Sequence, residues 1–230
     1  MTTRSPAFDL SRRLAAEGVG AVLLLAVVVG SGIMGERLSP DSDAVALMLN
    51  AISTGAGLFV LITLLGPVSG AHFNPLVTLS SLASGELERG EAAARITVQV
   101  LGAAAGVLLA HAMFDLPLLQ VSVKARDGLG QVLSEGVATF GLMMVVRLGG
   151  RLAPPTSAAL LALYITSAYG FTASTAFANP AVTLARSLTD TFAGISPGSI
   201  PGFLFGQAAG AVAAALASRG LMTPSGANPR

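Results

Sequence analysis

The sequence predicts an all-α integral membrane protein of six transmembrane helices and two re-entrant half-helices, arranged as inverted three-span repeats. Three observations predict it: six long apolar runs, a duplication of half the chain, and two Asn-Pro segments too short to cross a bilayer. Of 230 residues, 53% are hydrophobic and 11% charged. Soluble domains carry about a quarter charged residues and do not sustain apolar runs of about 18 residues.

A hydrocarbon core of about 30 Å takes roughly 20 helical residues to cross. Runs of that size fall near residues 15–34, 44–65, 96–114, 129–146, 155–177 and 200–218. Turn and charge punctuation separates them, as at Ser39-Pro40-Asp41, Lys124-Ala125-Arg126-Asp127-Gly128 and Arg151-Leu152-Ala153-Pro154-Pro155. The first run follows Arg12 and Arg13, as a secretory signal would, but it continues to about Met34 and so reads as a retained span. A single membrane domain covers 1–230, with repeat one at about 13–115 and repeat two at about 128–219.

Positively charged connections stay on the cytoplasmic side. With the N-terminus inside, Arg4, Arg12, Arg13, Arg89, Arg95, Arg147, Arg151, Arg219 and Arg230 are inner, and Arg37, Lys124, Arg126 and Arg186 are outer. Nine against four places both termini in the cytoplasm, with a bacterial-type cytoplasmic membrane as the default host.

Glu17-Gly18-Val19 recurs as Glu135-Gly136-Val137, and Gln99-Val100-Leu101-Gly102 as Gln207-Ala208-Ala209-Gly210. Asn74-Pro75-Leu76-Val77-Thr78-Leu79 after the second run recurs as Asn179-Pro180-Ala181-Val182-Thr183-Leu184 after the fifth. Three pairs in one order describe a repeat. Each half holds three spans, an odd number, so the second half enters the membrane inverted and the two Asn-Pro segments approach from opposite faces.

Those segments, 74–84 and 179–189, are about half a membrane thickness as helices. Asn is a favoured N-cap and Pro a favoured first helical residue, so each pair reads as a helix start. Irregular backbone at membrane depth survives only where protein or a wet cavity satisfies it. The loops 66–73 and 171–178 are therefore predicted to line such a cavity with carbonyls.

The duplicated Asn-Pro motifs on inverted repeats, with Gly70-Ala71-His72-Phe73 before the first, resemble the aquaporin and aquaglyceroporin family from about Ala15 to Ser218. The resemblance implies six tilted helices and two half-helices around one narrow pore per subunit, assembled as a homotetramer. It implies a passive channel for water and small neutral solutes, requiring no cofactor and no metal. Asn74, Pro75, Leu76, Asn179, Pro180 and Ala181 would form the pore motifs, with both asparagines turning amide donors toward the solute. Two helix N-termini facing one spot oppose cations and protons, a barrier cited in general for aquaporin-type pores.

Other residues carry two readings. Glu17 and Glu135 are costly within a membrane; by resemblance they accept hydrogen bonds from the re-entrant loops, and otherwise they couple protons. Gln99 and Gln207 are predicted to bond between helices. His72 lines the inner pore, as its family counterpart does, or bonds locally. His111 is left without a role.

Departures bear on the substrate. The family usually places an arginine three residues after the second motif's asparagine, where this chain has Val182. A gapless count puts the remaining filter positions on Thr54, Ser167 and Ala176, none of them aromatic, basic or large. Leu76 replaces the first motif's alanine. These substitutions imply a wide filter that admits glycerol-sized polyols and metalloid hydroxides such as arsenous acid. Arg186 lies about one helical turn beyond Val182, either as a vestibule cation or as a partner of Asp190 or the headgroups.

A proton-coupled secondary transporter using Glu17 or Glu135 is the rival reading, since inverted repeats and broken helices also describe those folds. The chain lacks an evident nucleophile, base and orienter set for an enzyme. With a net charge of +1 and no clustered basic residues, it also lacks a nucleic-acid footprint.

Overall fold

Eight α-helices make up most of the computed structural model, which describes residues 8–222. Arg4 and Arg230, counted above for orientation, lie outside the described residues. In chain order the helices are α1 (Leu10–Leu38), α2 (Asp43–Ser69), α3 (Pro75–Ala83), α4 (Arg89–Met113), α5 (Leu129–Gly149), α6 (Pro154–Phe171), α7 (Pro180–Ala185) and α8 (Ile200–Met222). Short α3 and α7 are the two re-entrant helices, each opened by its Asn-Pro pair.

Local chemistry sets most boundaries. Asp9 caps α1 by accepting from the Arg12 N–H at 2.9 Å, and Gly70 ends α2 in the left-handed conformation at φ 89°. Five helices are long and apolar enough to cross a membrane by length and composition. The remaining long helix, α6, is 18 residues and opens on Pro154-Pro155-Thr156-Ser157.

Two expected boundaries move. Helix α2 runs past Leu65 through Gly66 and Pro67 to Ser69, so the first re-entrant loop shrinks to residues 70–73. Helix α6 stops at Phe171 rather than Phe177, because Thr172 turns extended and Thr175, Ala176 and Ala178 take left-handed φ of 58°, 47° and 48°. Apolar composition does not distinguish the end of a span from an apolar loop buried beside it.

The halves pack alike: α1 lies along α4 as α5 lies along α8, and α2 meets α6 between the halves. Glycines let the first two pairs approach to backbone contact. A Cβ on Gly102 would lie 2.7 Å from the Gly18 carbonyl oxygen, and one on Gly106 would run into that of Val22. In the second half Gly206 and Gly210 meet the carbonyls of Val132 and Gly136 in the same way. Small residues at this spacing are the usual means of close helix packing in lipid, where burial of apolar surface gives no drive.

Ion pairs brace the first half near the starts of α1 and α4. Arg13 bonds Glu91 at 2.7 Å, Glu91 holds Arg95 at 2.8 Å, and Arg95 stands 3.5 Å from Glu17. In the second half Arg147 ties three helices, donating to Ser218 at 2.6 Å and to Ser80 at 3.0 Å.

Substituting leucine at Gly106 or Gly210 forces α1 from α4 or α5 from α8, an overpacking cost of about 1–3 kcal/mol. Both variants are expected to lower the thermal unfolding midpoint in detergent, whereas Gly90→Ala, where nothing lies within 4 Å, leaves it unchanged or higher.

Candidate functional site

The N-terminal ends of α3 and α7 meet inside the bundle. Asn74 Oδ1 accepts from the Leu76 N–H at 2.9 Å, and Asn179 Oδ1 accepts from Ala181 and Val182 at 3.0 and 3.4 Å. With each oxygen spent on its own cap, the amide nitrogens reach across. Asn74 Nδ2 donates to the Ala178 carbonyl and Asn179 Nδ2 to the Phe73 carbonyl, both at 2.8 Å. Each helix start is thereby bonded to the loop that leads into the other.

Those loops are strained in the same pattern. Ala71 and Phe73 take φ of 50° and 47°, as Ala176 and Ala178 do in the second half. Left-handed backbone costs about 1–2 kcal/mol per non-glycine residue, and a buried carboxylate in each half offsets it. Glu17 accepts from His72 N at 3.0 Å, Phe73 N at 2.8 Å, Ser69 Oγ at 2.7 Å and Gln99 Nε2 at 2.8 Å. Glu135 accepts from Phe177 N and Ala178 N at 2.9 Å each and from Gln207 Nε2 at 2.6 Å. Both carboxylates are fully buried with their oxygens engaged. Gln99 and Gln207 make the interhelical bonds expected of them.

One cavity is lined by both caps. Thr54, His72, Asn74, Ala176, Asn179 and Val182 line it, together with Tyr169, Phe177 and an apolar wall including Leu24, Val28, Leu58, Leu142, Leu161 and Ile165. Pro75, Pro180, Leu76 and Ala181 are not on the lining, and neither are Glu17 and Glu135.

Ser167 is misplaced by the gapless count. It is exposed on the outer groove between α5 and α6, beside Val145, Leu148 and Tyr164. Two residues further along a helix is about 200° around it, and Tyr169 takes the inward place, its hydroxyl 3.3 Å from Thr54 Oγ1. An aromatic side chain therefore does stand among these positions, contrary to expectation. The i, i+4 series Leu161, Ile165, Tyr169 marks the inner face, a signal present in the sequence that the count from the motif overrode.

Arg186 is not in an open vestibule. It is 1% exposed, its Nε donates to the Ala193 carbonyl, and its guanidinium lies 3.4 Å from the Phe177 ring centroid. The Arg186 N–H still bonds the Val182 carbonyl at the end of α7, and a 3-10 turn follows at Arg186–Leu188, with the side chain packed against Phe177 rather than open to a vestibule. Asp190 accepts from the Val123 N–H rather than pairing with Arg186. Arg126, which sequence reasoning gave no role beyond orientation, stands 5.1 Å from the same Phe177 ring and donates to the carbonyls of Gly194 and Phe192. Nearby Lys124 lies over Phe192 and is held below the ordinary lysine value, first by burial and then by Arg126.

Comparison with known proteins agrees with this arrangement. Residues 3–151 match the family model described as major intrinsic protein. The chain is 56% identical over 218 residues to aquaglyceroporin AqpS of Rhizobium meliloti, covering 95% of this chain and 93% of that protein. The chain belongs to the major intrinsic protein family. It is also 33% identical over 140 residues to a probable aquaporin of Oryza sativa subsp. japonica, a match over 59% of this chain and 52% of that one. Among solved structures, the aquaglyceroporin from Plasmodium falciparum superposes with a TM-score of 0.74 over 93% of this chain and 98% of its own, at 15% identity, which shows the fold. Major intrinsic proteins are passive channels in membranes and not enzymes, and this chain is a member of that family.

Glu135→Leu strands the N–H groups of Phe177 and Ala178 beside a left-handed loop. An unsatisfied buried donor costs about 1–3 kcal/mol, so the variant is expected to lose several kcal/mol, read as a large drop in unfolding midpoint or no folded protein. Glu135→Gln, which keeps one acceptor oxygen, is expected to fall between.

Proposed function

We propose that this major intrinsic protein conducts glycerol-sized polyols and metalloid hydroxides such as arsenous acid alongside water. Val182 on the cavity wall carries the reading: a short apolar side chain stands where the family pattern has an arginine. The Tyr169 and Thr54 hydroxyls, 3.3 Å apart, give the cavity a polar group, while Ala176 and Val182 add small apolar lining. A polyol is built to match, with hydroxyls along one side and C–H groups along the other. Tyr169 narrows the opening relative to the all-small filter read from sequence, and its hydroxyl gives a polyol something to bond. The relative named aquaglyceroporin AqpS supports the same class of solute.

The assembly we favour is a homotetramer with both termini cytoplasmic. Arg12, Arg13, Arg95, Arg147 and Arg219 would then lie toward the inner face, and Arg37, Lys124, Arg126 and Arg186 toward the outer. Native mass spectrometry from detergent reads the oligomer.

Stopped-flow light scattering on proteoliposomes tests the channel. Glycerol and arsenite are expected to enter along with water, in linear and unsaturated proportion to their gradients and without response to a pH gradient. Water flux alone would overturn the solute assignment, and saturating, proton-driven uptake would favour a transporter. Val182→Arg is expected to cut glycerol flux about tenfold or more, a barrier increase of about 1.4 kcal/mol, while water passes. Tyr169→Phe keeps the ring and removes one hydrogen bond, for a glycerol loss of roughly three- to tenfold.

A further inference from the structure

Both halves contain the same side-chain relay, and its last link differs. In repeat two, Gln207 Nε2 donates to Glu135 Oε2 at 2.6 Å and to Thr183 Oγ1 at 2.8 Å. Thr183 sends its own hydroxyl hydrogen back to the Asn179 carbonyl at 2.9 Å. In repeat one, Gln99 Nε2 donates to Glu17 Oε2 at 2.8 Å and to Thr78 Oγ1 at 3.0 Å, but Thr78 Oγ1 stands 3.1 Å from His72 Nδ1. The residue matching His72 in repeat two is Phe177, which offers no such acceptor.

The direction of the relay follows from which atoms carry hydrogens. An ionised carboxylate only accepts, so the glutamine atom facing Glu17 is the amide nitrogen, and its second hydrogen goes to Thr78. The Thr78 oxygen is then an acceptor from Gln99, and with no other acceptor within reach of the hydroxyl among the described residues, its hydrogen goes to His72 Nδ1. A ring nitrogen that accepts carries no hydrogen, which places the imidazole hydrogen on Nε2. The chain's other histidine is set the opposite way. His111 Nδ1 lies 2.9 Å from the Leu118 carbonyl, which can only accept, and Nε2 lies 2.8 Å from the Thr189 hydroxyl.

The geometry points to His72 as a tautomer-locked donor: Glu17, Gln99 and Thr78 hold it neutral, with Nε2–H free to meet solute in the pore, and so make conduction insensitive to acid. This rests on the channel reading above. His72 lines the cavity beside Asn74, and among the described residues its Nε2 has no hydrogen-bond partner. The charges facing the ring are Glu17 from α1, Arg95 and Glu91 from α4, and Glu86 from the turn after α3. Glu17, the nearest carboxylate, is already engaged by Arg95 and by four donors, one of them the His72 N–H itself. Protonation at Nδ1 would aim two hydrogens at each other unless Thr78 turned its own away. The imidazolium would also stand beside two helix N-termini, where positive charge is disfavoured.

Magic-angle-spinning NMR of the full-length protein in liposomes, with 15N-labelled histidine, reads the two rings directly, because the chain has 2 histidines. At about pH 7.5, where free histidine is neutral, one ring is expected with its hydrogen on Nε2 and the other with its hydrogen on Nδ1. The Nε2–H signal should vanish in His72→Gln. Thr78→Val is expected to mix the His72 tautomers, whereas Thr78→Ser, which keeps the hydroxyl, retains Nε2–H. Wild-type glycerol flux should stay within about twofold between about pH 7.5 and 5.5, while Thr78→Val loses flux toward the acid end with a midpoint near the ordinary histidine value of about 6.5. A wild-type His72 carrying its hydrogen on Nδ1, an acid-sensitive wild type, or a flat profile in folded Thr78→Val would overturn the lock. Absence of glycerol flux from wild type at every pH would overturn the solute reading instead, and the tautomer signals would still decide the lock.

Discussion

Two crossed hydrogen bonds hold this structure to its plan: Asn74 to the Ala178 carbonyl and Asn179 to the Phe73 carbonyl. They require a side chain that can cap its own helix through one atom and donate through another within the same short reach. Asparagine does both. Aspartate would cap but have nothing to donate, and alanine would do neither. The two loops present the Phe73 and Ala178 carbonyls to the opposite helix starts, and in a bilayer an orphaned carbonyl costs several kcal/mol. The crossed bonds satisfy these two and fix the distance between the halves, so α3 and α7 cannot slide apart without exposing both.

The glutamates make that arrangement reachable, and the two halves meet the cost of burying them differently. Glu17 is neutralised by an ion-pair ladder through Arg95, Glu91 and Arg13 that ends in a part-exposed arginine. A buried carboxylate is tolerated when paired and fully hydrogen-bonded. In the second half Phe203 stands in the place of Arg95, and no ion pair reaches Glu135 among the described residues. Its compensation is indirect: backbone N–H groups and Gln207 supply the hydrogen bonds, and two guanidiniums flank Phe177, whose own N–H is one of those donors. The repeat therefore conserves the hydrogen-bond acceptor in each half and not the counter-ion.

Much of this was legible in the sequence, for reasons particular residues show. Asn74-Pro75 and Asn179-Pro180 declare helix starts by local chemistry alone, and their offset companions Glu17/Glu135 and Gln99/Gln207 declare the inverted repeat. Symmetry pairs those residues between the halves, while the re-entrant loop N–H groups as partners of the glutamates come from the family resemblance. Features that depend on where one turn of helix ends were not legible. Phe171 to Phe177 is apolar throughout its large residues, so hydropathy carried the span six residues too far, and the same uncertainty put Ser167 rather than Tyr169 opposite Thr54. Arg186 sits at the spacing expected from Val182, but its burial against Phe177 and the Ala193 carbonyl depends on a distant loop that local pattern does not show. A count from a motif is sound along one rigid element and fails across a change of element.

The hydrogen bookkeeping at the crossed caps also limits what such a pore can pass. Each Asn amide nitrogen carries two hydrogens, one of which is committed to the opposite carbonyl, so one remains for a solute. Both remaining groups are donors, and both sit at the positive ends of helices. A solute oxygen can accept from the pair; an ammonium or hydronium ion brings only hydrogens and meets two more. The apolar wall of Leu24, Val28, Leu58 and Ile165 offers no replacement for the hydration a charged species sheds. Neutral molecules rich in oxygen acceptors lose least on such a path.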